Sequence, residues 1–280
     1  MSATLAAHHR PPRLLALGAI VVAGFILVAI VGAFVTPYDP THFAVRLRFD
    51  PPSFAHPFGT DEFGRDVFSR ALAGARYSLA MGFGATAISL VLGVPLGLLA
   101  AFHRGAVDAA IMRGVDLLIS LPPILLGLLI LAVTPPSLWK TILAVGIIYV
   151  PILTRLTRAV ALGLLEEDFV QAARARGEGA VSILSREILP NAWPPIIVES
   201  GLRVTFAILL GSSLSFLGLG PQPPSSEWGL MIAESRGFID EAPWIGLAPG
   251  LCLCALLIAV NLFGEGLREA LDPRLRGRDG

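Results

Sequence analysis

Residues 165–195 read LEEDFVQAARARGEGAVSILSREILPNAWPP. This is the long polar interruption in an otherwise apolar second half. Leu165, Phe169, Ala172 and Ala173 fall at i, i+4, i+7 and i+8, one face of a helix. Glu166, Glu167 and Asp168 stand at its start, and Arg174 and Arg176 at its end, each set complementing the helix dipole. Gly177 supplies a stop, with Gly179 close behind. A second short helix is predicted over Ala180 to Leu189, with Val181, Leu184 and Ile188 on its apolar side and Pro190 ending it. The stretch thus reads as helix, glycine turn, helix. An amphipathic hairpin lying at an interface would show the same periodicity.

The surroundings are far more apolar. The chain of 280 residues is 54% hydrophobic and 15% charged, with a mean hydropathy of +0.72. Soluble domains average about 25% charged residues, so the composition points to lipid. Net charge is zero, which gives no reason to expect a nucleic-acid partner. Six helical spans are predicted: about Leu14–Val35, Tyr77–Phe102, Leu117–Val133, Leu138–Thr157, Pro195–Leu217 and Pro243–Gly264. The first is too long for a signal-peptide core and is read as retained. Alternating ten-residue segments of a membrane barrel are absent.

Arginine placement orients the spans. With the N-terminus inside, 13 of the 21 Lys and Arg residues fall inside. The expected layout is then a cytoplasmic tail (1–13), a first helix (14–35), an extracytoplasmic loop (36–76), a five-helix core (77–264) and a cytoplasmic tail (265–280). Residues 165–195 lie on the cytoplasmic side of that core. In the first outer loop, Asp66 and Arg70 have the spacing of a helical ion pair, and the loop reads either as a solvated lid or as an element that gates substrate or docks a protein. In the last outer loop, Gly218-Leu219-Gly220 is followed by Pro221 and reads as a turn rather than a nucleotide fingerprint.

Several chemistries lack their residues. Lys140 is the single lysine, in SLWKT, with no glycine-rich loop before it, so the chain has no phosphate cradle of the P-loop kind. His8, His9, His42, His56 and His103 form no metal-ligand array. Cys252 and Cys254 are expected to be buried structural thiols. Glu199 and Arg203 share a helix face within the fifth span. Two readings stand: a structural pair near the interface, or a part of the pathway or its inner gate.

QAARARG, nine residues and then EILP resembles the EAA loop of binding-protein-dependent ABC importer permeases. Ala172, Ala173, Gly177, Leu189 and Pro190 match that motif, Gln171 stands in place of its acid, and Glu187 stands where isoleucine is usual. The resemblance extends through HPFGTDEFGRDVFSR (56–70), RGVDLLISLPP (113–123), ILPNAWPPIIVE (188–199), SLSFLGLGPQPP (213–224) with EWG, and NLFGEGLREALDPRLR (261–276). These are similar to the second permease subunit of dipeptide, oligopeptide and nickel importers. Gly211 departs from the resemblance, which leads one to expect an acid there.

The resemblance implies an all-α integral membrane protein with six transmembrane helices, the type I ABC importer permease fold, in a bacterial inner membrane. It implies a homologous permease partner, two ATP-binding subunits and an extracytoplasmic substrate-binding protein. ATP and Mg would sit on the partner ATPases, with no cofactor on this chain. Residues 165–195 would be the surface through which the ATPases act. An ion-coupled secondary transporter would call for paired intramembrane acids and inverted repeats. An intramembrane enzyme would call for a catalytic pair; Glu199 has no histidine partner in the spans.

Overall fold

The computed structural model describes residues 13–133 and 135–271. The outer parts of both expected tails, including His8, His9, Arg10, Arg274, Arg276 and Arg278, lie outside the described residues. The chain is helical, and among the described residues the one β-type contact is an isolated bridge between Thr60 and Asp66.

Four helices are long and apolar enough to cross a bilayer. They are α2 (Val67–His103), α5 (Leu138–Leu164), a continuous stretch over Ala180–Phe216 whose main part is α8 (Leu189–Phe216), and α10 (Trp244–Leu271). The first helix, α1 (Arg13–Val31), has a shorter apolar run, Leu15–Val31. The predicted third span is not one straight helix. It is a pair, α3 (Gly105–Ile119) and α4 (Pro123–Ala132), bent by 92°. The cause lies in Leu121-Pro122-Pro123: Pro122 takes an extended conformation (φ −54, ψ 133), and neither proline can donate a backbone hydrogen bond. Six uniform spans are therefore replaced by four long helices, one bent pair that counts as a fifth, and the shorter α1.

The second helix begins at Val67 instead of Tyr77 because Asp66 caps it, accepting from the Ser69 backbone N–H at 2.7 Å. Its first turns are buried: Val67, Ser69, Arg70 and Ala71 all pack inward. Arg70 lies inside the protein, while Arg76 is exposed.

Helices α2 and α5 pack in parallel through small residues. Gly84 faces Ile142, Gly93 faces the Val150 carbonyl, and Gly97 faces the Thr154 carbonyl. Small residues let backbones approach where lipid offers no hydrophobic drive. A Cβ at position 97 would stand 2.6 Å from the Thr154 carbonyl oxygen. Gly97→Leu is therefore expected to force the two helices apart, at a cost of about 1–3 kcal/mol or more; thermal unfolding of the purified protein in detergent reads this directly.

Helix α8 runs antiparallel to α2. Met81 meets Gly211 near one end, and Leu98 and Ala101 share a core cluster with Ala192 and Ile196 near the other. Gly266 of α10 lies against Leu15 of α1, so the first and last described helices bring their outer ends together. Residues 165–188 cap this same end. Residues 36–66 and 218–243, the latter with the short helix α9 (Trp228–Glu234), cap the opposite end.

The cysteines differ from expectation. Both are free; Cys252 is half-buried and Cys254 is exposed on the outward face of α10.

Candidate coupling surface and buried charge cluster

At the end capped by residues 165–188, α6 (Asp168–Ala175) closes with a left-handed Gly177 at φ +79. The Gly177 N–H donates to the Arg174 carbonyl at 2.9 Å, and the Glu178 N–H donates to the Ala173 carbonyl at 3.2 Å. This pair of bonds is a Schellman closure, which satisfies carbonyls a helix end leaves open. Beyond the turn comes α7 (Ala180–Ser182), then a π-helical turn (Ile183–Ile188), then α8.

The second predicted helix therefore does not end at Pro190. It runs on as one continuous stretch to Phe216. The π-turn makes this possible. The Leu189 N–H reaches back five residues to the Leu184 carbonyl, and the widened register comes just before Pro190, whose missing donor would break an ordinary α-helical ladder.

The inward face also differs in detail. Leu165, Val170, Ala173, Ile183 and Ile188 are the buried residues, packed with Val94, Leu98 and Ala101 of α2. Phe169 and Leu184 are partly buried, Ala172 is exposed, and Val181, predicted on the apolar side, is 80% exposed. The turn is held by charge. Arg176 pairs with Glu178 at 2.6 Å and reaches Glu187 across the turn at 3.6 Å, and Glu178 also accepts from the Ser182 hydroxyl at 2.8 Å. The Arg176 bond holds the Glu178 carboxyl below its usual range. Gln171, in place of the motif's acid, donates from Nε2 to the Leu165 carbonyl at 3.1 Å and so links the helix to the end of α5.

The predicted residues thus divide. Ala173 is buried and Leu189 is half-buried, while Gln171, Ala172, Gly177 and Pro190 face outward. A Cβ added at Gly177 or Gly179 would meet nothing within 4 Å, so the outer side of the turn is open.

Glu199 and Arg203 pair at 2.8 Å, as their spacing predicts. The guanidinium lies over the rings of Tyr149 (5.5 Å) and Phe206 (4.9 Å), and Tyr149 donates its hydroxyl to the Phe206 carbonyl. The pair therefore joins α5 to α8. Glu199 also lines a cavity of about 630 Å³ with Asn191, Pro194, Val198 and Arg268.

At the opposite end, the first loop is solvated only in part: residues 36–58 are exposed or half-buried, but its last stretch is folded into the protein. Asp61, Arg65 and Arg70 are almost completely buried, with side chains no more than 1% exposed. Asp61 accepts from Arg65 Nε and Arg70 Nη1, each at 2.6 Å, and from the backbone N–H groups of Phe63 and Arg65 at 2.9 Å. Arg70 also reaches Glu234 at 3.0 Å and the Ser225 carbonyl at 3.2 Å. The predicted Asp66–Arg70 pair does not form. Asp66 is occupied as the helix cap and by His56 Nδ1 at 2.9 Å, leaving Arg70 to Asp61 and to Glu234, 164 residues away. Burial raises the Glu62 carboxyl above its usual range.

Glu227, just before α9, was not singled out by its sequence context. It is buried, and its carboxylate accepts from the backbone N–H groups of Gly229 (3.0 Å) and Leu230 (2.8 Å). Trp228 beside it donates to the Ala71 carbonyl at 3.0 Å. Burial raises the Glu227 carboxyl above 4.5 despite these bonds. The native state then holds the proton more tightly than the unfolded chain. This group's contribution to stability is fully present below pH 4.5 and is lost as pH rises through the raised native value. Glu227→Gln keeps an acceptor for the cap and is expected to flatten that pH dependence, whereas Glu227→Ala should cost about 0.5–2 kcal/mol. Unfolding midpoints measured between acid and neutral pH check both.

The family model for "Binding-protein-dependent transport system inner membrane component" matches residues 93–277. The chain belongs to this family. Among its relatives is the dipeptide transport system permease protein of Alkalihalophilus pseudofirmus, 42% identical over 264 residues, covering 94% of this chain and 87% of that one. The di/tripeptide transport system permease protein of Pseudomonas aeruginosa is 41% identical, covering 90% and 85%. The glutathione transport system permease protein of Pectobacterium atrosepticum is 39% identical, covering 90% and 84%. The fold is similar to that of a chain of the MetNI methionine ABC transporter solved in inward-facing conformations, with a TM-score of 0.60 at 19% identity over 72% of this chain and 96% of that one. This permease is thus a multi-pass inner-membrane protein with the type I ABC importer fold. The family match takes in the glycine turn and the Glu199–Arg203 pair, while Asp61, Arg65 and Arg70 precede it and Glu234 falls within it.

Proposed function

We propose that this permease forms, with a homologous permease, the translocation pathway of an ATP-driven importer for dipeptides or oligopeptides. The peptide names of its relatives at 38–42% identity support that substrate class. One of two ATP-binding subunits docks at residues 165–195, which puts that end and both termini in the cytoplasm. An extracytoplasmic binding protein delivers substrate to the opposite end. ATP and Mg reside on the ATPases, and this chain carries no cofactor of its own.

The observation that carries this reading is the glycine turn. Its inner face is bonded into the bundle core, and its outer face is open from Gln171 to Val181. Because the chain continues unbroken from Ala180 to Phe216, a push on the turn is delivered along a rigid helix into the membrane. ATP-driven closure of the ATPase pair would move the turn and rock the two permeases between inward- and outward-facing states. Such coupling requires that the ATPases contact the turn differently in the two states. The Glu199–Arg203 pair, bridging α5 and α8 beside a cavity, suits an inner gate on this path.

Purification of the tagged permease tests the assembly: an ATP-binding subunit should accompany it, and uptake should be blocked by vanadate. Vanadate-insensitive uptake that follows an ion gradient would reject the reading. Identification of the ligand retained by the partner binding protein separates peptide from nickel or another small solute.

A further inference from the structure

A groove on the outer flank of the bundle is made from three parts of the chain. Phe25 of α1 forms one wall. Leu247, Leu251 and Ala255 of α10 form the other, and Pro52 and Phe58 from the loop before α2 close its upper end. The cavity is about 480 Å³, within the ordinary size range of small-molecule sites. Its lining is apolar side chain throughout, so a polar solute would find no partner in it.

Three observations say what fills it. First, the groove lies on the least buried of the four long helices: only 33% of the apolar window of α10 is buried, and Leu247 and Leu251 are 61% and 67% exposed. It is continuous with the exposed apolar face of that helix, which runs on to Ile258. Second, its depth fits. From Trp244 to Ala255 a helix rises roughly 16 Å at about 1.5 Å per residue, close to the ~15 Å of one leaflet's hydrocarbon, half of a ~30 Å core. Third, its mouth is marked by Trp244. The ring lines the groove while its Nε1–H donates to the Thr60 carbonyl at 3.1 Å. An indole with one apolar side and one bonded polar edge is the usual marker of the membrane–water boundary.

We propose that this groove binds one acyl chain of a membrane phospholipid, from the leaflet at the end of the bundle that carries residues 36–66. The lipid would wedge between α1, α10 and the loop at Pro52 and Phe58. That loop runs directly into the Asp61 cluster, so the chain would steady the cluster from the lipid side.

The test places the purified permease, with the subunits that accompany it, in nanodiscs of phosphatidylethanolamine and phosphatidylglycerol. The acyl chains are brominated near the glycerol in one set and unbrominated in the other. The Trp244 signal is taken as the difference between the protein and its Trp244→Phe variant. The expected result is loss of that signal in brominated lipid, and its retention when Ala248→Leu with Ala255→Leu fills the groove. Cys252→Phe, which fills the same groove at another point, guards against misfolding of the first variant. Native mass spectrometry after detergent washing should find one phospholipid retained per chain and lost in both filled variants. No quenching of Trp244 means that another protein surface covers the groove. Equal quenching with the groove filled means ordinary annular lipid. Either result overturns the proposal.

Discussion

Asp61→Ala is expected to destabilise the folded permease by about 3–5 kcal/mol, the range for removing one partner of a buried ionic network. Asp61 is the acceptor on which the cluster turns. It takes one guanidinium bond from Arg65 and one from Arg70, and it closes its own turn by accepting two backbone N–H groups. Without it, two buried guanidiniums share Glu234 and a partly buried Glu62, and Arg70 Nε already has no hydrogen-bond partner. Asp61→Asn retains an acceptor oxygen and should fall between the wild type and the alanine variant. The loss should also loosen the joint between the first and last loops, because Arg70 ties residues 61, 225 and 234 together. Thermal unfolding in detergent gives the magnitude, and proteolysis within residues 36–66 gives the location. A change within about 1 kcal/mol, the ordinary worth of a surface pair, would show that the cluster is solvated after all.

Gly177→Val is expected to lower uptake by about tenfold or more, within the typical range of coupling between sites, with membrane insertion unchanged and ATP hydrolysis continuing. The φ of +79 at this position suits glycine and strains a β-branched residue. Steric overlap is not the cause, since an added Cβ meets nothing within 4 Å. The backbone must therefore shift, which breaks the two bonds of the Schellman closure and swings α6 relative to the helix that enters the membrane. Gly177→Ala carries the same φ problem with less bulk and should show a smaller fall. Unchanged uptake by the valine variant would remove the glycine turn from the coupling path. A parallel fall in protein level would instead assign Gly177 to folding.

Much of the stretch 165–195 could be read locally. The acids at one end, the arginines at the other and the Gly177 stop are all short-range signals, and α6 forms between them. The π-turn is different. Pro190 reads locally as a stop, yet the register widens just ahead of it, and packing of Ile183, Ile188, Ala192 and Ile196 on one core holds the helix together. That packing also reverses the fate of Val181, which the continued helix carries outward.

The membrane character, the helical class and the Glu199–Arg203 pair were determined by the sequence alone. Hydropathy and i,i+4 spacing are properties of neighbouring residues, and lipid leaves the backbone little choice but helix. The bend in the third span was also written in Pro122-Pro123, although unbroken hydropathy across Leu117–Val133 concealed it. Only the tertiary structure decided which charges are buried and with whom. Asp66 and Arg70 have ideal spacing, but each finds other partners: Asp66 the open Ser69 N–H of a helix start, and Arg70 the buried Asp61 together with an acid 164 residues away. Arg65 does keep an i,i+4 partner in Asp61, but Arg70 takes the partners that the whole fold brings within reach, and no helical period records those.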